Sequence, residues 1–162
     1  LTVAWMTAKG VSVNDFAMNH PAGSIGRRLT LMVRDLMIPH DKLIMINADA
    51  RLPEVVDALT TQAIGAVLVT NAVDPAALGG IITDGDLRRA LKRTPADGWG
   101  GLVARDLMTT TPIAVVSGMP AIEALTLMER NAKKAITVLP VIDEAKVVGM
   151  LRMHDLVQAG LS

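Results

Sequence analysis

Apolar residues in this chain fall into two kinds of run, and the runs follow a fixed order. Residues 66–70, 78–82, 135–139 and 146–151 are nearly unbroken Val, Ile and Leu, the pattern of strands covered on both faces. Residues 52–61 and 121–130 instead space their apolar positions for a helix, through Val55, Val56 and Leu59 in one and Leu125 and Met128 in the other. Short apolar pieces at 44–46 and 113–116 read as opening strands. Residues 84–93 and 153–159 read as helices entered directly from the preceding strand. Residues 71–77 and Asp143-Glu144 read as turns.

The order strand, helix, strand, strand, helix therefore occurs twice. Val33-Arg34-Asp35-Leu36-Met37 is echoed 71 positions on by Ala104-Arg105-Asp106-Leu107-Met108. Glu54 and Glu123, Ala66–Val69 and 135–138, Gly80 and Gly149, and Asp86 and Asp155 all stand 69 apart. One constant shift over about 35 residues, with no gap, predicts a duplicated β-α-β-β-α unit. Neither unit has much core alone, so the two are expected to pack face to face about a pseudo-twofold axis in an α+β fold. The expected boundaries are 29–93 for the first unit, 94–101 for a Pro- and Gly-containing joint, and 102–162 for the second. Residues 1–28 read as helix, Gly stop, short helix, Pro21 break and small-residue linker, the trailing end of a preceding domain plus a tether.

Composition narrows the function. The 162 residues are 51% hydrophobic, enough for a core. Lys and Arg balance Asp and Glu at 16 each, which gives no electrostatic case for nucleic acid or an anionic membrane. Aromatics at 2% argue against a base-stacking platform. The chain has no Cys, which excludes disulfides and thiolate metal sites and is compatible with the cytoplasm, the expected location. No apolar run reaches the roughly 18 residues of a membrane span. Three scattered histidines do not make a metal site. The ten Met residues read as core filler.

The candidate chemistry lies where strand 78–82 turns into helix 84–93. Thr83 stands at the N-cap and Asp86 three residues on. A helix start carries unpaired N–H groups and partial positive charge, which suits an anion. Thr-x-x-Asp also resembles a capping box, and both roles can coexist. In the second copy Arg152 replaces Thr while Asp155 stays. Arg152 can pair with a phosphate or carboxylate of a ligand, or with Asp155 as a local salt bridge. His154 is either a ligand contact or a solvent-facing helix residue. Lys133 and Lys134 are either an anion contact or an exposed charge pair. No Gly-x-Ser-x-Gly elbow, phosphate loop or purposeful carboxylate pair is present, so the chain is not expected to be an enzyme alone.

The paired units resemble the cystathionine-β-synthase (CBS) domain pair, or Bateman module. The signatures are Asp35-Leu36-Met37, Asp106-Leu107-Met108, Gly80-Ile81-Ile82-Thr83-Asp84-Gly85-Asp86-Leu87 and the partner ending Asp155-Leu156. The resemblance implies nucleotide binding: Asp86 and Asp155 accept hydrogen bonds from ribose hydroxyls, and Thr83 donates to phosphate. Thr111 and Ile113, just before an opening strand, would hold the base through backbone contacts, or are an ordinary strand entry. The two corners are expected to face each other across one shared crevice, with a carboxylate at each gripping a sugar ring.

Residues 15–29, Thr83–Arg89 and 153–156 are similar to bacterial D-arabinose-5-phosphate isomerases, in which a sugar-isomerase (SIS) domain precedes the CBS pair. Ala22 stands where Gly is expected, and most of the SIS domain is not in this sequence. By this resemblance His20 is the histidine brought into the catalytic site of the full-length enzyme, while this piece alone is inactive. The implied function is a regulatory pair that binds an adenine nucleotide or CMP-Kdo, the activated end product of the Kdo and lipopolysaccharide pathway. It would need no cofactor, and would form a homodimer of CBS pairs within a tetrameric enzyme. The alternative is a ligand-free assembly module that holds catalytic domains together.

Overall fold

The structure, a computed structural model, describes residues 30–130 and 136–161. The expectations for residues 1–28, including His20, and for Lys133 and Lys134 lie outside the described residues. The first half contains α1 (Val33–Leu36), β1 (Ile38–Pro39), β2 (Met45–Ile46), α2 (Leu52–Gln62), β3 (Ala66–Thr70), β4 (Leu78–Thr83) and α3 (Asp84–Arg93). A 3-10 segment, Ala96–Gly101, leads to α4 (Ala104–Leu107), α5 (Ala121–Arg130), β5 (Val138–Asp143), β6 (Lys146–Arg152) and α6 (Met153–Gln158).

Two three-stranded sheets form, ordered β2-β3-β4 and β1-β6-β5. β2 runs parallel to β3, and the other pairings are antiparallel. The strand centres are apolar because each sheet is covered on both faces. Successive side chains point to opposite faces. On β3 and β4, Val67, Val69 and Ile82 enter a core with Val55, Ala58 and Leu59 of α2. Their neighbours Ala66, Leu68 and Ile81 instead meet Val138, Val147 and Met150 of the other half. On the far side Leu139, Val141 and Leu151 pack with Leu125, Met128 and Leu156. The sheets thus meet face to face, with helices outside, as the duplicated pattern predicts.

The entrance segments cross over. Val33 of α1 is fully buried in the core of the second half, and Ala104 and Leu107 of α4 are buried in the core of the first. The crossing is sewn by backbone hydrogen bonds. Val33 N–H donates to the Met119 carbonyl and Arg34 N–H to Ser117. In mirror fashion, Ala104 N–H donates to Ala50 and Arg105 N–H to Ala48. Ile38 pairs with Met150 on β6, and Thr109 exchanges two hydrogen bonds with Ile81 on β4, at 2.9 and 3.0 Å. These two contacts are related by the pseudo-twofold.

Four sequence expectations are corrected. The strand expected at 135–139 is Val138–Asp143. Val138 stands opposite Arg152 as Ala66 stands opposite Thr83, so the strands correspond at a shift of 72 and the repeat is not gap-free. A longer approach to β5 is offset by a shorter turn after it, and that turn is Glu144–Ala145 rather than Asp143-Glu144. Both turn residues are left-handed, with φ of 49° and 65°, the two-residue geometry that fixes hairpin register. The strand expected at 113–116 reduces to a single parallel bridge between Val115 and Val141.

Candidate functional site

Four helices begin with the same local device. An acid three residues past the N-cap accepts the N-cap N–H: Asp35 from Met32, Glu54 from Arg51, Asp86 from Thr83 and Asp106 from Val103, at 2.6–3.0 Å. The Asp of each Asp-Leu-Met signature is therefore a helix cap. A short carboxylate suits that place because the helix start presents free N–H groups and partial positive charge.

Thr83 and Asp86 carry the device furthest. The Asp86 N–H donates to Thr83 Oγ1 at 3.2 Å, and the Thr83 hydroxyl donates to Asp86 Oδ2 at 2.5 Å. Arg89 Nη2 donates to the other oxygen, Oδ1. Burial penalises the Asp86 charge, but the hydrogen bonds from the Thr83 hydroxyl and amide, and the Arg89 guanidinium, outweigh it and hold the pKa below the usual carboxylate value. The capping reading of Thr83 and Asp86 is thus realised. It leaves room for a second role, since Oδ1 has lone-pair capacity beyond its one arginine contact.

This corner opens into a cleft of about 580 Å³. One wall is Thr83–Asp86 with Arg88 and Arg89; the opposite wall is Thr109, Thr111, Pro112 and Ile113, which lead into the second half. Residues 136–138 and Pro140 close the third side. The crossover of Thr109 onto Ile81 is what brings Thr111 and Ile113 to Asp86. The volume falls in the range of small-molecule sites, about 300–1,000 Å³. Ile113 is 44% exposed, an apolar surface beside the polar corner.

The second corner differs. Arg152 forms a two-pronged ion pair with Asp155, Nε to Oδ2 and Nη2 to Oδ1, both at 2.6 Å. The local salt bridge is the reading realised there. A separate cleft of about 450 Å³ is lined by Ala63, Ile64, Thr137, Arg152, Met153, His154 and Val157. Asp155 lines neither cleft. The expectation of one crevice gripped by Asp86 and Asp155 together is therefore corrected: the corners open into separate hollows that share Thr137. At the second corner the Arg152 guanidinium, three residues before Asp155, engages both carboxylate oxygens.

The structure brings Thr83, Asp86, Thr111 and Ile113, all named from the sequence, to one cleft, and Arg152 and His154 to another. Arg88, Arg89 and Gly65, which also line the first cleft, were not named as site residues from the sequence. Arg89 was legible: three residues past Asp86 on a helix, it shares a face with it. Gly65 sits there with φ +76°, a conformation that suits glycine. Among the described residues no cluster of His, Asp and Glu fits a metal ion, and no helix is long and apolar enough to cross a membrane.

Two copies of one unit, exchanging their entrance segments, with the Thr83-x-x-Asp86 of the first at a cleft, define the CBS pair. The sequence profile of the CBS domain matches residues 33–93 and again 104–162, and the chain belongs to this family. It is 35% identical over 99% of its length to arabinose 5-phosphate isomerase KdsD of Salmonella typhimurium, and 36% identical to KdsD of Pseudomonas aeruginosa. It spans about half the length of these relatives, 47% and 48%. Among solved structures it is similar to CBSX2 in complex with AMP, at TM-score 0.67 and 25% identity over 80% of this chain and 96% of that one. The CBS domain of a bacterial CNNM/CorC family Mg2+ transporter in complex with ATP shares the fold, at TM-score 0.69 and 18% identity over 84% of this chain and 91% of that one.

Proposed function

We propose that this chain is the nucleotide-sensing regulatory part of an arabinose-5-phosphate isomerase. The observation that carries this reading is the cleft that sets the Thr83–Asp86 corner against Thr111 and Ile113. A carboxylate with a free lone pair suits ribose hydroxyls. Arg88 and Arg89 suit phosphate, and Ile113 with Pro112 suits the face of a base. AMP and ATP, named with two of the structural neighbours, are the first candidates. CMP-Kdo is the candidate by pathway logic.

Binding regulates only if it favours one arrangement of the two halves over another. The crossed entrance segments give a route: ligand bridging Asp86 and Thr111 ties α3 to the start of the second half. Through residues 1–28 this would reach the isomerase domain, where His20 would complete the catalytic site. Lys133 and Lys134 remain candidates for anion contact, as does His154 beside the second cleft.

A thermal-shift screen with AMP, ADP, ATP, CMP and CMP-Kdo tests the reading. A ligand at 100 times its Kd stabilises by about 2.7 kcal/mol. Millimolar ligand with no shift from any of the five would leave the assembly reading in its place. That second reading draws on Val56, Ile122 and Val157, apolar yet 39–49% exposed on α2, α5 and α6, where a dimer of pairs would cover them.

A further inference from the structure

The two corners are related by the duplication, yet they are not chemically equivalent. In the first, Asp86 is held by its own cap and by one arginine contact on Oδ1, and it lines the larger cleft. In the second, both oxygens of Asp155 are engaged by the fork of Arg152, and the carboxylate lines neither of the two clefts described above. Asp155 is also the acid that abandons the cap: Arg152, the N-cap of α6, has no side-chain cap bond, unlike Thr83 before α3. A planar guanidinium matched to both oxygens of a carboxylate is the strongest pairing these groups make. Its side chains are only 30% and 20% exposed, so solvent does little to loosen it.

The neighbours deepen the difference. Gly85 in the first corner corresponds to His154 in the second, so a side chain enters where the first corner has none. The bridge of Val115 to Val141 matches the pairing of Ile46 with Val69, so Thr111, Pro112 and Ile113 correspond to Lys42, Leu43 and Ile44, which do not line the second cleft. The second cleft thus lacks both a lining carboxylate and the wall that faces the first corner.

We propose that Arg152 shuts the second corner, and that this chain takes one nucleotide, at the Thr83–Asp86 corner, rather than two. This rests on the nucleotide reading given above and assigns its stoichiometry and its selecting residue. A regulator with one site per chain responds to ligand without competition or cooperation between corners of the same chain.

Isothermal titration with AMP and with ATP reads the stoichiometry. One ligand per chain is expected, and two would overturn the inference while leaving the nucleotide reading intact. Asp86→Ala should weaken that binding about tenfold or more and leave no second class of sites. Hydrogen exchange on the unaltered protein gives a check free of folding artefacts. AMP should protect amides 83–89 and 109–113 and leave 152–157 unchanged; protection at 152–157 overturns the inference. Arg152→Thr, with Arg152→Gln in reserve should the first fail to fold, releases Asp155. It is expected to add a weaker second class of sites, and a folded variant that adds none removes Arg152 as the closing residue. An unaltered protein silent to both nucleotides sinks the nucleotide reading and the inference with it.

Discussion

Gly149 lies so close beneath Ile38 that a Cβ on it would stand 2.6 Å from the Ile38 carbonyl oxygen and 2.7 Å from Sδ of Met37. The pseudo-twofold repeats the contact: a Cβ on Gly80 would stand 2.8 Å from the Thr109 oxygen and 2.9 Å from Sδ of Met108. These glycines exist so that the entrance strand of each half can lie on the sheet of the other. The Met side chain can move aside, but the carbonyl is fixed by strand pairing.

Gly149→Ala and Gly80→Ala should therefore each destabilise the fold by about 1–3 kcal/mol, the usual cost of overpacking. Urea denaturation reads this directly. A variant as stable as the parent would mean that the crossing tolerates a methyl group, contrary to the spacing.

Thr83 holds the start of α3 by accepting the Asp86 N–H and donating to its carboxylate. Thr83→Ala should cost about 0.5–2 kcal/mol, as N-cap losses do, and Thr83→Ser should recover most of it. Loss unrelieved by Ser would assign the effect to the methyl group instead.

The hydrogen bonds on Asp86 give stability a pH dependence. Its folded pKa lies below the ordinary value near 3.8. A carboxylate with a depressed folded pKa contributes stability in full above the unfolded pKa and loses it as pH falls through the folded one. Asp86→Asn should therefore be less stable than the parent at neutral pH, and the gap should shrink below about pH 4. A gap that stays constant from pH 7 to pH 3 would show that Asp86 gains nothing from its charge.

Arg89 shares the Asp86 oxygen that a ribose hydroxyl would use. Adenosine offers the Arg89 guanidinium no anion, whereas AMP brings a phosphate. The parent should prefer AMP over adenosine, and Arg89→Ala should narrow that preference by about 1.5–3 kcal/mol, the worth of a hydrogen bond to a charged group. Competition titration measures both affinities. An unaltered preference would place the phosphate elsewhere, with Arg88 the next residue to replace.

Much of the fold was legible because it is local. The alternation of Val67 and Val69 with Ala66 and Leu68 already says that β3 is covered on both faces. Pro53 with Glu54 marks the start of α2, and the repeat of Asp-Leu-Met marks two entrances. The site was half legible: Thr83 and Asp86 announce a helix cap and a ligand corner in the same letters, and no sequence spacing separates the two. The register of β5 was not legible. The motif shift of 69 aligned Thr137 with Leu68, which would have set a polar side chain in the sheet interface. Pairing places Pro140 there instead, opposite Met150.

By itself the sequence determined the duplicated unit, the strand and helix types, and the residues able to do chemistry, since each of these follows from spacing within about a dozen neighbouring residues. Only the tertiary structure decided three things. It set which half each entrance segment joins, how far β5 slides along β6, and whether a carboxylate faces a cleft or an arginine. All three turn on hydrogen bonds between distant segments, or on a choice between partners of similar strength, and those are settled only when the two halves close on each other.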